Sequence, residues 1–321
     1  MNLNRSISWK STFKNLYVFS VLALIIIIFS SISSNFIGAP NITNIIRQSV
    51  PLLLVSTSVT LLMMSGNIDL SVGGILGLCS VVFSIMINAG SGYFMAAVLT
   101  LLLGVFIGFF NGFLVVRLRI VPVIATLATM SLCVGLGKLM SPGGIGLIKG
   151  LPEDIVGFGR TPFLLRLPIS VYVAAAVIIV LVVLQRKTLL GKYAAAIGGN
   201  STAAELSGIN VVKTVWLLYV IVGLCAALAG ITRTSLLSLG DPVTGMGMEM
   251  DAMIAVVLGG TSFSGGEGSV ARTVIGVLVL MCLTAGMQVI GAEAYYQTIV
   301  KGIVLIIAVV VDVLVKEKID D

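Results

Sequence analysis

The 321-residue sequence contains no histidine and few charged side chains. Histidine is the commonest general base and metal ligand of proteins, so its absence excludes histidine-based catalysis. Charged residues make up 10% of the chain, against roughly 25% in a soluble domain, and cannot cover a soluble protein of this length. The composition therefore excludes a cytosolic enzyme, and the 58% content of hydrophobic residues indicates an all-α polytopic membrane protein.

Cysteine is also sparse, with four residues that all lie in apolar runs and form no CxxC pair. This excludes a disulfide scaffold and predicts four small core side chains rather than metal ligands. The cysteines are Cys79, Cys133, Cys225 and Cys282.

Apolar segments recur along the whole chain, and a spanning helix needs about 20 such residues. They predict about ten transmembrane helices in a single domain over residues 1–321. The longest polar connections are expected at 141–166, 185–210 and 233–249. The predicted helices cover 16–34, 45–65, 70–88, 93–116, 120–140, 167–184, 212–232, 252–260, 270–291 and 295–315.

Most lysines and arginines fall on segments that would share one side of the membrane with both termini. Since cytoplasmic loops are enriched in these residues, we expect a multi-pass protein of the bacterial inner membrane with both termini in the cytoplasm. This topology explains the net charge of +6 without a nucleic-acid partner.

Two glycine-rich segments, 65–74 and 259–269, interrupt the apolar pattern. Broken helices of this kind expose backbone groups to a transport path. Ordinary turns between spans would give the same pattern, and the spacing alone leaves both interpretations open.

Asp69 is the most prominent acid beside a span. An acid at membrane depth is usually functional, but Asp69 could instead accept backbone N–H bonds at the start of the third helix. We favour the capping role. A proton relay would need a second acid within the membrane, and the hydropathy pattern places none there.

Residues 197–210 predict a short helix. Asn200 is its candidate N-cap, Glu205 lies early in it, and Gly208 is a plausible C-terminal stop. The pattern fits a helix that seats in a partner as well as a helix without one.

Four segments resemble ribose-type ABC importer permeases, the monosaccharide branch of the branched-chain amino acid/ribose-like inner-membrane components. Residues 67–74 read NIDLSVGG, and residues 197–210 read IGGNSTAAELSGIN. Residues 249–269 read EMDAMIAVVLGGTSFSGGEGS, and Tyr295-Tyr296-Gln297 precedes Val300-Lys301-Gly302. The resemblance covers about residues 35–315.

The resemblance implies a bundle like that of type II ABC importers, with broken helices. The chain would pair with a second copy or a paralogue, and the sugar would cross at their interface. Cytoplasmic ATP-binding-cassette subunits would bind the coupling-helix loop at 185–210, and a periplasmic or lipid-anchored sugar-binding protein would dock on the outer face. The remaining expected partner is membrane lipid.

ATP hydrolysis is expected in the partner subunit, with its ATP and Mg, because this chain lacks a GxxxxGK[ST] phosphate loop. The chain itself would be neither an enzyme nor a cofactor protein. Ribose is the default substrate by resemblance, while xylose, allose, galactose, inositol and a furanosyl signal molecule stay open.

The resemblance and the polar pattern together give three sets of candidate residues. The ATPase-coupling set is Gly199, Asn200, Ala203, Ala204, Leu206, Ser207 and Gly208. The pathway or gate set is Asn67, Asp69, Asn111, Gly259, Gly260, Thr261 and Gln288, in which Asn111 and Gln288 fit a hydrated path or a helix–helix bond. The binding-protein docking set is Arg47, Arg160, Arg166 and Arg233.

The alternative function is a secondary sugar transporter driven by an ion gradient, which would need acids in mid-span. A passive channel would need charge rings or pore-lining repeats, which the sequence does not show. ATP-dependent transport with a binding protein distinguishes the importer from both.

Overall fold

The computed structural model describes the backbone of residues 3–144 and 146–320, and the side chains of residues 18–144 and 146–310. The described chain is helical apart from its connections and two isolated bridges. Its α-helices are α1 Leu3–Ile32, α2 Ala39–Met64, α3 Val72–Asn88, α4 Tyr93–Gly112, α5 Pro122–Met140, α6 Glu153–Arg160, α7 Ile169–Lys187, α8 Leu189–Gly199, α9 Ser201–Leu206, α10 Val211–Leu237, α11 Met248–Leu258, α12 Val270–Val289 and α13 Ala294–Asp320.

A helix occupies each of the ten apolar segments that the sequence predicts. Among the described residues, six helices are long and apolar enough to cross a membrane. They are α2, α4 with its π-helical extension Phe113–Arg117, α5, α7, α10 and α12. The multi-pass helical fold is therefore confirmed, and ten crossings stay a prediction.

Helices α2, α3 and α10 form the centre of the bundle. Leu54, Leu61 and Leu218 are fully buried there, and Tyr219 of α10 is buried with them. The helices around this centre present large apolar side chains outward, such as Phe94 at 83% exposure. An apolar outer surface is what a bundle surrounded by lipid requires, because lipid chains solvate it.

Glycines let α4 and α10 approach closely. A Cβ atom on Gly104 would overlap the carbonyl oxygen of Gly223, and a Cβ atom on Gly223 would overlap that of Gly104. Small residues at such crossings permit the close van der Waals packing that holds helices together in lipid. The high glycine content of the chain thus has a packing role here.

The polar connections contain more helix than the sequence suggests. The segment 185–210, expected as a loop around one short helix, holds the end of α7, all of α8 and all of α9. The connection 141–166 contains α6, whose acids Glu153 and Asp154 lie in its first turn, where they favour helix formation.

The bundle has two ends, which we name by their residues. The motif face is the end at which Gly66, Gly198 and Gly266 lie. The far face is the opposite end, at which Asn88 of α3 donates to the backbone oxygen of Lys149 at 2.9 Å.

Candidate functional site

Glycines of two motif segments, 197–210 and 249–269, meet the residues just before a third, 67–74, at the motif face. A Cβ atom on Gly265 would lie 2.8 Å from the nitrogen of Gly66 and 3.0 Å from the Cα atom of Gly198. The nitrogen of Gly266 donates to the oxygen of Met64 at 2.9 Å. The two glycine-rich breaks therefore contact each other and the start of the 197–210 segment. We call this set of backbone contacts, made by Gly66, Gly198, Gly265 and Gly266, the glycine joint.

Side chains of the surrounding helices form hydrogen bonds with the backbone next to these glycines. Gln185, near the end of α7, donates to the oxygen of Gly268 at 2.9 Å and accepts from the nitrogen of Val270 at 2.9 Å. Arg272 of α12 donates to the oxygen of Gly259 at 3.0 Å. A rotation of α7 or α12 would thus be transmitted to the glycine joint.

The helix predicted within 197–210 is confirmed as α9. The Asn200 side chain accepts from the nitrogen of Ala203 at 2.9 Å, which makes Asn200 the N-cap. Gly208 has a φ of 83°, the left-handed conformation that ends helices and suits glycine.

The candidate coupling residues point in different directions. Ala204 is 5% exposed and packs in the core, whereas Leu206 is 85% exposed. Gly199, Ala203, Ser207 and Gly208 are exposed around Leu206. A partner that binds α9 would thus meet Leu206, while Ala204 holds the helix in place from within.

The sequence favours Asp69 as the cap of α3, but the N-cap residue is Ser71, and no side chain caps the first turn. Asp69 instead bonds the turn that leads into the helix. Its carboxylate accepts from the nitrogen of Ser71 at 2.8 Å and from the Ser71 hydroxyl at 2.6 Å, immediately before α3. Asn111 of α4 donates to the Ser71 hydroxyl at 2.7 Å and lies 3.4 Å from Asp69 Oδ2. Asn111 therefore makes an interhelical bond, one of the two roles predicted for it.

The backbone around Asp69 is bonded by side chains from two further helices. Thr126 of α5 accepts from the nitrogen of Leu70 at 3.1 Å, and Tyr219 of α10 donates to the oxygen of Ile68 at 3.1 Å. A non-helical segment within a membrane bundle needs such partners, because unsatisfied backbone groups are costly there.

The sequence predicts an outer loop at 233–249, but in the structure α10 continues to Leu237 and residues 238–247 lie along α3. A Cβ atom on Gly240 would meet the Ser84 hydroxyl, near the far end of α3. A Cβ atom on Gly245 would overlap the oxygen of Gly73, at the other end of α3. Ser84 and Gly73 are about 16 Å apart along the helix axis, so the segment re-enters the bundle beside α3.

Helix α11 consequently begins inside the bundle and brings two acids with it. Glu249 is 8% exposed, and its Oε1 accepts from the nitrogen of Gly247 at 3.1 Å. Its Oε2 is buried without a hydrogen-bond partner among the described residues. Lys301 of α13 donates to Asp251 Oδ2 at 2.7 Å, with both side chains 25% exposed.

The sequence pattern does not reveal these three residues as a group, because Glu249 falls in the polar connection predicted at 233–249. The signal was present, because the motif segments 249–269 and 300–302 contain all three residues. The hydropathy pattern does not reveal this signal, because a re-entrant segment rich in glycine and polar residues has the composition of a loop.

The remaining pathway candidates lie in different places. Asn67 is half-buried and donates to the oxygen of Ser65 at 3.1 Å. Thr261 is fully buried and accepts from the nitrogen of Ser269 at 3.4 Å, while Gly260 turns the chain with a φ of 74°. Gln288 is exposed in the last turn of α12, within the candidate span Val270–Val289.

Three of the four docking candidates bond to their own chain. Arg47 donates to Asn44, Arg160 to the oxygen of Leu236, and Arg233 to the Thr244 hydroxyl. Arg166 is exposed and forms no side-chain hydrogen bond within the described residues. It is therefore the docking candidate most available to a partner.

Comparison with known proteins matches residues 41–309 to the family described as the permease component of branched-chain amino acid transport systems. The chain is 38% identical over 308 residues to the ribose import permease protein RbsC of Bacillus subtilis (strain 168), covering 96% of this chain and 95% of that protein. The chain belongs to the ribose-type ABC importer permeases.

Two further relatives widen the range of substrates named for the family. The permease is 34% identical to the D-allose transport system permease protein AlsC of Escherichia coli (strain K12), over 93% of this chain and 91% of that protein. It is 33% identical to the autoinducer 2 import system permease protein LsrC of Yersinia enterocolitica, over 91% and 80%. No solved structure matches the permease.

Proposed function

We propose that the chain is the membrane subunit of an ATP-driven, binding-protein-dependent importer of a monosaccharide. It would form one permease domain over residues 1–321 with ten crossings, and two such domains would enclose the sugar path at their interface. Family membership supports import of a sugar, and the ribose permeases among the relatives favour ribose.

The motif face would lie in the cytoplasm. Arg117, Arg186, Lys192 and Lys213 all lie at this end of the bundle, which agrees with the enrichment of basic residues on the cytoplasmic side. The predicted cytoplasmic termini include residues 1, 2 and 321, which lie outside the described residues.

The observation that carries the coupling proposal is the exposure of Leu206. A leucine that is 85% exposed in the last turn of a short capped helix is not packed against the rest of the described chain. Docking into an apolar cleft of an ATPase subunit would bury it. A movement of the bound ATPase subunit would then be transmitted through α8 to the glycine joint at Gly198, and from there to α2 and α12.

The test is the binding of the separately purified ATPase subunit to the permease in detergent, measured for Leu206→Arg and for Leu165→Arg. Leu165 is 80% exposed but lies in the far-face connection, so it is a matched control. We expect binding to weaken at least about tenfold in Leu206→Arg, since an apolar anchor contributes 1–3 kcal/mol or more, and to be unchanged in Leu165→Arg. Equal binding by both variants would refute the assignment of α9.

A secondary sugar transporter remains the second candidate because of α11. Glu249 and Asp251 are the acids within the bundle that such a transporter needs. Asp251 is already paired with Lys301, however, and Asp69 is bonded to Ser71. Among the buried acids of the described residues, this leaves Glu249, with its unbonded Oε2, for ion coupling. Uptake driven by a proton or sodium gradient without any ATPase subunit would support this candidate and exclude the importer.

A further inference from the structure

A large open cavity on the motif face is not part of the glycine joint. It lies between the end of α4 and the start of α10 and has a volume of about 970 Å³. Its rim carries Arg117 and Lys213, and Trp216, Leu217 and Val220 continue the wall below them. The cavity thus combines a cationic rim with an aromatic and aliphatic interior.

Both helical walls change from charged to apolar in the same direction. On α10, Lys213, Leu217 and Val220 share one face because of their spacing, and Val220 lies about 10 Å deeper than Lys213 along the axis. On the α4 side, Phe109 lies about 12 Å deeper than Arg117. Phe109 and Leu217 are 50% and 45% exposed, so this deeper wall is an open apolar surface of the chain.

The indole of Trp216 is held between the charged rim and the apolar wall of the cavity. Its Nε1 donates to the oxygen of Phe109 at 2.9 Å, and the two ring centroids are 4.8 Å apart. A Cβ atom on Gly112 would overlap the indole, so glycine at that position is required for this arrangement. Tryptophan concentrates at the level of lipid headgroups.

The charges of the rim are available to a ligand. Arg117 and Lys213 are exposed, and neither forms an ion pair within the described part of the chain. Glu205 is the one acid among the lining residues, so the rim keeps an excess of positive charge. Two cations above an apolar groove match a phosphodiester above acyl chains.

We propose that this cavity binds the headgroup and upper acyl chains of an anionic phospholipid. A soluble phosphate or an acidic protein surface would use the two cations but leave the apolar groove unfilled. The cavity also borders Gly208 and Glu205 at the end of α9. A bound lipid would therefore stabilise the segment between α9 and α10.

The test uses Trp216 as the reporter in the full-length chain. Trp9→Phe removes the other tryptophan, since the sequence contains two. The protein is reconstituted in mixtures of phosphatidylcholine and phosphatidylglycerol in which one of the two lipids is brominated. Quenching of the remaining tryptophan by each brominated lipid gives the relative binding constant of the two lipids. We expect a clear preference for phosphatidylglycerol, which Arg117→Gln and Lys213→Gln each reduce about fivefold.

Lys192→Gln is the control, because Lys192 is an exposed cation of the same face that lines a different cavity. It should leave the preference unchanged. Equal quenching by both lipids in the parent protein, or equal loss in all three variants, would overturn the proposal. Loss of the preference in millimolar glycerol phosphate would also overturn it, by identifying a site for soluble anions.

Discussion

Lys301 Nζ lies 2.7 Å from Asp251 Oδ2, and this ion pair joins the last helix to the half-helix that begins inside the bundle. Helix α13 otherwise packs mainly against α11 and α12. The pair is therefore a principal attachment of α13, and it lies next to Glu249 at the N-terminal end of α11. Any movement of α13 against the bundle must strain or break it.

Neutralising one partner of this pair should loosen α13. For Asp251→Asn or Lys301→Met we expect a loss of about 1–3 kcal/mol in the free energy of unfolding, between the values for exposed and buried pairs. Thermal unfolding in detergent measures it. The double variant should lose less than the sum of the single variants, and strict additivity would show that the two charges do not interact.

The glycine joint predicts a contrast between two adjacent positions. A Cβ atom on Gly198 would overlap the oxygen of Met64, whereas one on Gly199 has nothing within 4 Å. Gly198→Ala should destabilise the protein by about 2 kcal/mol or more through this steric clash. Gly199→Ala should change stability by less than about 1 kcal/mol. Equal stability of the two variants, compared by thermal unfolding, would contradict the contact between 64–66 and 197–199.

The two bonds that Asp69 accepts from Ser71 predict that acceptor geometry matters more than charge. Asp69→Asn keeps an oxygen for the nitrogen of Ser71, so sugar uptake should stay within about threefold of the wild type. Asp69→Ala leaves buried donors unpaired and should cost about 2 kcal/mol of stability. A stable Asp69→Asn protein without uptake would instead assign a functional role to the charge.

The sidedness of the bundle can be tested by cysteine labelling. The native cysteines are buried, so their background should be low. Ser201→Cys and Thr161→Cys place a thiol at an exposed position of the motif face and of the far face, respectively. A membrane-impermeant maleimide should label the Ser201 variant only in inside-out vesicles and the Thr161 variant only in right-side-out vesicles. The opposite pattern would invert the proposed topology.

The sequence predicts the helices well because every buried or lipid-facing segment is apolar. It also predicts α9, since Asn200 and Gly208 are local capping signals. It fails at 238–247, a turn-rich segment whose contacts with Ser80, Ser84 and Gly73 of α3 leave no trace in local composition. It could not separate Ala204 from Leu206 either, because the direction of a side chain on a six-residue helix depends on how the whole helix docks.

The most direct test of the central proposal is uptake of radiolabelled ribose by liposomes that contain this chain and its ATPase subunit, with the sugar-binding protein outside. We predict uptake that requires internal ATP and the binding protein, and that falls at least about tenfold in Leu206→Arg. Uptake by the chain alone, driven by an imposed proton or sodium gradient and indifferent to ATP, would contradict it.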